Sequence, residues 1–164
     1  GLMVAVNAIR SASATNSFIS VTEDGKVAMF RTGGNPHCHV ILRGGKSPNY
    51  DAASVAACEE ELKKAGLIEN VMIDCSHGNS NKDHRNQKLV LEEVAEQINN
   101  GNKSIIGVML ESNLEEGNQP IPDDLSDLKY GVSITDACID WSTTETLLRE
   151  FAGSLSESLE SRAV

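Results

Sequence analysis

Apolar residues follow two different periods along this chain. Leu2, Val4, Ala5, Ala8 and Ile9 recur at helical spacing and predict the end of a helix over residues 2 to 12. SFISVTEDGKVAMFRT then consists of two β-rich runs joined through Asp24-Gly25, which predicts an antiparallel hairpin at 17 to 31. CHVILRGG predicts a short strand at 38 to 43, and DAASVAACEEELKKAG predicts an amphipathic helix at about 51 to 65 with Gly66 as its C-cap. NVMIDCSH is the next strand, followed by a polar loop and a helix at about 84 to 99 with Gly101 beyond it. KSIIGVMLES predicts a strand at 104 to 111, and after a long loop STTETLLREFAGSLSESL predicts a closing helix whose capping box pairs Ser142 with Glu145.

Strand and helix thus alternate three times. That order implies parallel strands with right-handed crossovers, as in a doubly wound sheet or a (β/α)₈ barrel. A barrel takes about 250 residues and eight strands, so the barrel reading leaves roughly half of it outside this chain. The start agrees, because GLMVAVNAIRSA opens in helical phase without an initiator Met or a cap.

Composition narrows the classes of partner. With 164 residues the chain suffices for one globular domain. A formal net charge of -10 argues against non-specific nucleic-acid or anionic-membrane binding, which needs a basic face to displace counterions. A small anionic substrate stays open, since a few local cations outweigh distant net charge. Cys38, Cys58, Cys75 and Cys138 lie far apart without CxxC spacing, so the reading is reduced thiols in a soluble, cytoplasmic protein rather than a zinc ribbon or a disulfide framework. No apolar run approaches the roughly 18 residues of a membrane span.

Each predicted parallel strand ends in a different chemical group: Arg43 in ILRGGK, His77 in IDCSHGN and Glu111 in GVMLESN, with Asp136 in the following SITDACID loop. An imidazole and two carboxylates make a mixed N/O donor set suited to Mn, Fe, Co or Zn. Arg43 with Lys46, flanking Gly44-Gly45, offers a cationic fork and open backbone to a phosphate or carboxylate. The SHGNSNK loop offers a second, backbone-based phosphate cradle, although it lacks the full P-loop signature. The plainer alternative is that each polar residue only makes a turn, a cap or a surface ion pair, and His37, His39 and His84 are assigned to that class. Cys58 and Cys138 read as small hydrophobes, and Cys75 as packing before thiolate chemistry.

ILRGGKSPNYDA, MIDCSHGNSNKDHRNQ, GVMLESNLEEGNQ and LKYGVSITDACIDW together resemble the carboxyl-terminal half of type I alpha DAHP synthases, the phospho-2-dehydro-3-deoxyheptonate aldolases, over about residues 38 to 141. The resemblance implies a (β/α)₈ TIM barrel, of which residues 1-164 form the second half of a single catalytic domain, with the hairpin inserted before the first complete barrel strand. It implies a transferase that condenses phosphoenolpyruvate with erythrose 4-phosphate, the first step of the shikimate pathway of aromatic amino acid biosynthesis, with a divalent metal, Mn first and Fe, Co or Zn as alternatives. On the matching motifs His77, Glu111 and Asp136 become the metal ligands. Arg43 becomes the arginine that binds the phosphate of phosphoenolpyruvate, and Arg43, His77 and Asp136 the catalytic set. A neutral His77 ligand would make metal binding weaken in acid.

The departures are equally specific. The family's metal-binding Cys in GPCS, its KPR segment, a further phosphate-binding arginine and its FKNGTDG lysine have no match here, and GLMVAVNAIR resembles the helix that follows FKNGTDG. A chain limited to these residues is therefore expected to be an inactive fragment. Phe18, Ser20 and Phe30 match hairpin positions that help form a feedback site for aromatic amino acids in the family, and a homo-oligomer is expected. Two competing readings are a related phosphosugar synthase of the octulosonate phosphate type and a catalytically inactive half-barrel acting as a regulatory or assembly module.

Overall fold

The computed structural model describes residues 1–161. Its elements run α1 (Leu2–Ser13), β1 (Ser17–Val21), β2 (Val27–Arg31), β3 (Val40–Leu42), α2 (Ala52–Lys64), β4 (Val71–Asp74), α3 (Gln87–Asn99), β5 (Ile105–Met109) and α4 (Trp141–Glu160). β1 and β2 form an antiparallel hairpin in the register Val21↔Val27 to Ser17↔Arg31, while β3, β4 and β5 form a separate parallel sheet in that order.

Burial alternates along the short strands because successive side chains point to opposite faces. Val40 and Leu42 of β3 and Val71 and Ile73 of β4 join the core, together with Val55, Cys58 and Leu62 of α2, Val90, Val94 and Ile98 of α3, and Leu147 and Leu155 of α4. Ile41 and Ile106 are exposed, so one face of the sheet carries the helices and the other has no cover within the described residues. The hairpin is exposed on both faces, with Phe18 and Phe30 stacked at a centroid distance of 5.9 Å. No helix among the described residues is long and apolar enough to cross a membrane.

The helix ends test the sequence reading. α2 starts at Asp51, whose carboxylate accepts from the Ser54 N–H at 3.0 Å. It ends in a Schellman pair, Gly66 N–H to Lys63 O and Leu67 N–H to Leu62 O, both 3.0 Å, as the Gly66 cap predicts. The helix predicted from residue 84 instead begins with a 3₁₀ turn, His84–Asn86, because the Asp83 carboxylate caps the Arg85 N–H. The Ser142–Glu145 capping box is not formed. Asp140 is the N-cap, accepting from Thr143 N–H at 2.7 Å, and Glu145 pairs with Arg149 on the next turn. The reason lies upstream: Ile139 is pinned beside the end of β5 by Ile139 N–H to Glu111 O and Asn113 N–H to Ile139 O, so α4 starts immediately after Asp140.

Two loops at the carboxyl edge touch backbone to backbone. Gly78 N–H donates to Arg43 O at 3.1 Å, and a Cβ on Gly44 or Gly78 would lie 2.6 or 2.7 Å from main-chain atoms of the opposite loop. The buried Asn79 locks this contact: its Nδ2 donates to Leu42 O and Asp74 O, and its Oδ1 accepts from Asn49 N–H, while Asn49 Oδ1 accepts from Gly44 N–H at 2.7 Å. We expect Gly78→Ala, which needs one of the two backbones to move, to cost about 1–3 kcal/mol in denaturant unfolding. We expect Asp140→Ala to cost about 1 kcal/mol where Ser142→Ala costs much less.

Candidate metal and anion site

The carboxyl ends of β3, β4 and β5 open into a cavity of about 510 Å³ lined by Arg43, Gly44, Gly45, Ser76, His77, Gly78, Lys82, His84, Glu111, Asp136 and Ala137. All four residues singled out at the strand ends and in the following loop, Arg43, His77, Glu111 and Asp136, are therefore brought together. His77 Nε2 lies 3.4 Å from Glu111 Oε1 and 3.5 Å from Asp136 Oδ2, and one donor atom from each of the three residues falls within 4.8 Å of the others. His77 and Glu111 are half-buried and the Asp136 side chain is 69% exposed.

Local chain geometry explains each placement. His77 takes φ +49°, a left-handed conformation unusual for a residue with a Cβ, and the turn holds it there through Lys82 N–H and Ser80 Oγ–H, which both donate to His77 O. A register irregularity after Val71 shifts β4 along β5, so that Asp74 pairs with Met109 and Ser76 arrives beside Glu111. There the Ser76 hydroxyl donates to Glu111 Oε2 at 2.6 Å. The main chain of Glu111 is gripped by the fully buried Gln87 side chain, whose Nε2 donates to Glu111 O and whose Oε1 accepts from Glu111 N–H at 2.8 Å. Asp136 projects from a loop stitched by Gly117 N–H to Cys138 O at 2.8 Å and Asn118 Nδ2 to Thr135 O at 2.8 Å.

Other expectations are corrected. The SHGNSNK loop is not a backbone phosphate cradle, because the N–H groups of residues 78 to 83 all donate to carbonyls of this loop or of Arg43. The Gly44 and Gly45 N–H groups are likewise taken, by Asn49 Oδ1 and Ser47 O, so Arg43 is left to meet an anion with its side chain. Lys46 does not line the cavity; Lys82 does. His84, assigned above to a turn, also lines it, with Nε2 3.8 Å from Glu116 Oε2, whereas His37 and His39 border a shallow groove beside α1. Asp74 and Ser76, visible as polar residues at the strand end, receive no individual role from the sequence, and neither do Asn79 and Gln87. Asp74 carried a readable signal three positions before His77; Gln87 and Asn79 carried none, since their roles exist only through contacts across the fold.

The thiols take no part. Burial, then the neighbouring Asp74 carboxylate, pushes the Cys75 thiol up to about 12, and burial pushes Cys58 up to about 11. An apolar groove between α3 and α4, lined by Leu91, Ala95, Leu147 and Phe151, brings together no imidazole or thiol.

A parallel sheet whose carboxyl edge presents an imidazole, two carboxylates and an arginine to one cavity defines an α/β protein with a donor set that could hold a cation beside an anion. Comparison with known proteins makes the class particular. The DAHP synthetase I family model matches residues 1–149, and the chain belongs to that family. It is 55% identical over 161 residues to the Tyr-sensitive phospho-2-dehydro-3-deoxyheptonate aldolase of Salmonella typhimurium, covering 98% of this chain and 45% of the relative. To the Phe-sensitive aldolase of Escherichia coli K12 it is 51% identical over 154 residues, 94% of this chain and 44% of the relative. The structure of phospho-2-dehydro-3-deoxyheptonate aldolase from Francisella tularensis superposes with a TM-score of 0.85 at 46% identity, covering 95% of this chain and 45% of that one. The chain thus spans less than half the length of each of these three relatives.

Because folding raises the Cys58 and Cys75 pKa values, their neutral thiols persist to well above pH 9 in the native protein and ionise at ordinary pH only on unfolding. A thiol reagent at pH 8 should therefore label the half-exposed Cys38 first and reach Cys58 and Cys75 only in denaturant, and rapid labelling of native Cys75 would contradict this burial.

Proposed function

We propose that the protein carrying this chain condenses phosphoenolpyruvate with erythrose 4-phosphate to give 3-deoxy-D-arabino-heptulosonate 7-phosphate and inorganic phosphate. The observation that carries the reading is the meeting of His77 Nε2 with Glu111 and Asp136 oxygens in the cavity that Arg43 lines. Family membership and the names of the relatives support it. In this reading the chain is the second half of a (β/α)₈ barrel, and the uncovered sheet face carrying Ile41 and Ile106 is the lining of the closed barrel.

The donor set fits a divalent cation. One nitrogen and two carboxylate oxygens converge without a lysine or arginine paired to either carboxylate among the described ion pairs, and such hard-to-borderline donors suit Mn²⁺, with Fe, Co or Zn as alternatives. Bound there, the ion supplies Lewis acidity toward the aldehyde oxygen of erythrose 4-phosphate. Arg43 offers its guanidinium fork to the phosphate of phosphoenolpyruvate and so orients C3 toward the aldehyde. Its fixed positive charge also offsets the charge of the phosphate as water adds at the oxocarbenium-like C2 and loses a proton, and inorganic phosphate leaves. Lys82 adds a second cation on the same wall. Asp136, the most exposed of the three ligands, is the carboxylate best placed to exchange a proton with water.

On the hairpin we propose a site for an aromatic amino acid effector, with Phe18 and Phe30 as a stacking platform and Ser20 on the same face two residues from Phe18. The terms Tyr-sensitive and Phe-sensitive in the relatives' names support an effector of this class. A homo-oligomer belongs to the same proposal.

The test is loss of phosphoenolpyruvate absorbance on adding erythrose 4-phosphate to the full-length protein with Mn²⁺. Chelator and His77→Ala are each expected to lower the rate by roughly 100-fold or more, the scale of a lost Lewis acid. Arg43→Lys, which keeps the charge and loses the fork, is expected to raise KM for phosphoenolpyruvate about 10-fold. Absence of turnover with every divalent metal tried would overturn the reading.

A further inference from the structure

Resting on that metal reading, we infer that Asp74 is a positioning residue that sets the tautomer of His77. Asp74 ends β4 with only 3% of its surface exposed, and among the described residues no lysine or arginine pairs with it. A carboxylate this deep must have its oxygens satisfied. They are divided between two tasks. Oδ1 accepts from the Ser76 N–H at 2.9 Å, which turns the carboxylate back over the bend, and Oδ2 lies 2.8 Å from His77 Nδ1. The ring N–H is out of line with Oδ2 in this structure, and Nδ1, shut off from solvent, has no aligned hydrogen bond. Asp74 Oδ2 is the one carboxylate oxygen within ion-pair distance of Nδ1 among the described residues.

The two neutral tautomers differ sharply here. With the proton on Nδ1, the imidazole faces Asp74 as donor and presents the Nε2 lone pair to the space shared with Glu111 and Asp136. With the proton on Nε2, the Nδ1 lone pair meets a carboxylate oxygen at 2.8 Å, two acceptors in repulsion, and the nitrogen facing the other two carboxylates is no longer free to ligate. Asp74 thus selects the ligating tautomer before any cation arrives. Its own position is fixed as well, because Asn79 Nδ2 donates to its main-chain oxygen at 2.8 Å. Outer carboxylates of this type orient ligating histidines, and losing one costs 10–100-fold in metal affinity.

The experiment uses the full-length protein. Metal-free protein labelled with ¹⁵N-histidine, with the His77 signals assigned by difference against His77→Gln and the pH raised until the ring carries a single proton, should show that proton on Nδ1. Asp74→Asn should turn an amide N–H toward Nδ1, populate the opposite tautomer and weaken Mn²⁺ binding, read by electron paramagnetic resonance, by 10–100-fold. A wild-type His77 protonated on Nε2, or an Asp74→Asn protein that binds Mn²⁺ as tightly as wild type, overturns the inference. If Asp74→Asn does not fold, the wild-type tautomer decides alone. Wild-type protein that binds no divalent metal would sink the proposed function instead, while the tautomer in metal-free protein would still test Asp74.

Discussion

The backbone contact between the Arg43-Gly44-Gly45 turn and the His77-Gly78-Asn79 turn is the constraint on which the site depends. Parallel strands lie about 4.8 Å apart, so neighbouring strand ends deliver their side chains to one cavity when their loops do not splay. Gly78 N–H to Arg43 O closes the pair, and the absence of a Cβ at both glycines lets main chain meet main chain. The Asn79 and Asn49 carboxamides satisfy the polar groups that this contact buries, in a region where an unpaired amide or carbonyl costs about 1–3 kcal/mol. The guanidinium of Arg43 and the imidazole of His77 share a wall because their backbones do.

Around His77 the structure assembles unusual charge. Asp74, Glu111 and Asp136 approach the two ring nitrogens within 2.8, 3.4 and 3.5 Å. The Glu111 and Asp136 donor oxygens lie within 4.8 Å of each other, so their like charges repel, a cost that a divalent cation would reverse. Neutral donors hold the cluster: Ser76 on Glu111, the Ser76 amide on Asp74 and the Gln87 carboxamide on the Glu111 main chain. None of these donors titrates near neutrality, so the scaffold stays constant while the site gains or loses a proton or a cation. Strain at His77, Asn81 and Lys82, all at positive φ, is concentrated in the same loop, as expected where chemistry rather than packing has set the backbone.

The sheet has a second consequence. Its helix-covered face forms a conventional aliphatic core, whereas Ile41 and Ile106 face outward without cover among the described residues. An apolar sheet face of this kind is unstable alone in water and calls for a complementary surface. In the barrel proposed above that surface is the remaining barrel lining; the chain spans 45% of the length of the Salmonella typhimurium and Francisella tularensis relatives.

Much of this was legible in the residue pattern. Hairpin, strands and helices were readable because each is a local periodicity closed by local chemistry, as in the Asp51 cap and the Gly66 turn of α2. The candidate ligands His77, Glu111 and Asp136 and the cation Arg43 were readable because polar residues that interrupt apolar strands mark a sheet edge. The sequence by itself therefore determined which elements form and which groups stand at their ends. Only the tertiary structure decided what those groups touch. It filled the amides of the SHGNSNK loop, moved the α4 cap from Ser142 to Asp140, set Gln87 on Glu111 and turned Asp74 toward His77. The Gln87 grip on Glu111 and the Asn79 lock on Leu42 span 24 and 37 residues and have no local period to betray them, whereas the loop amides, the Asp140 cap and Asp74 find partners mostly within five residues through backbone turns that the fold imposes.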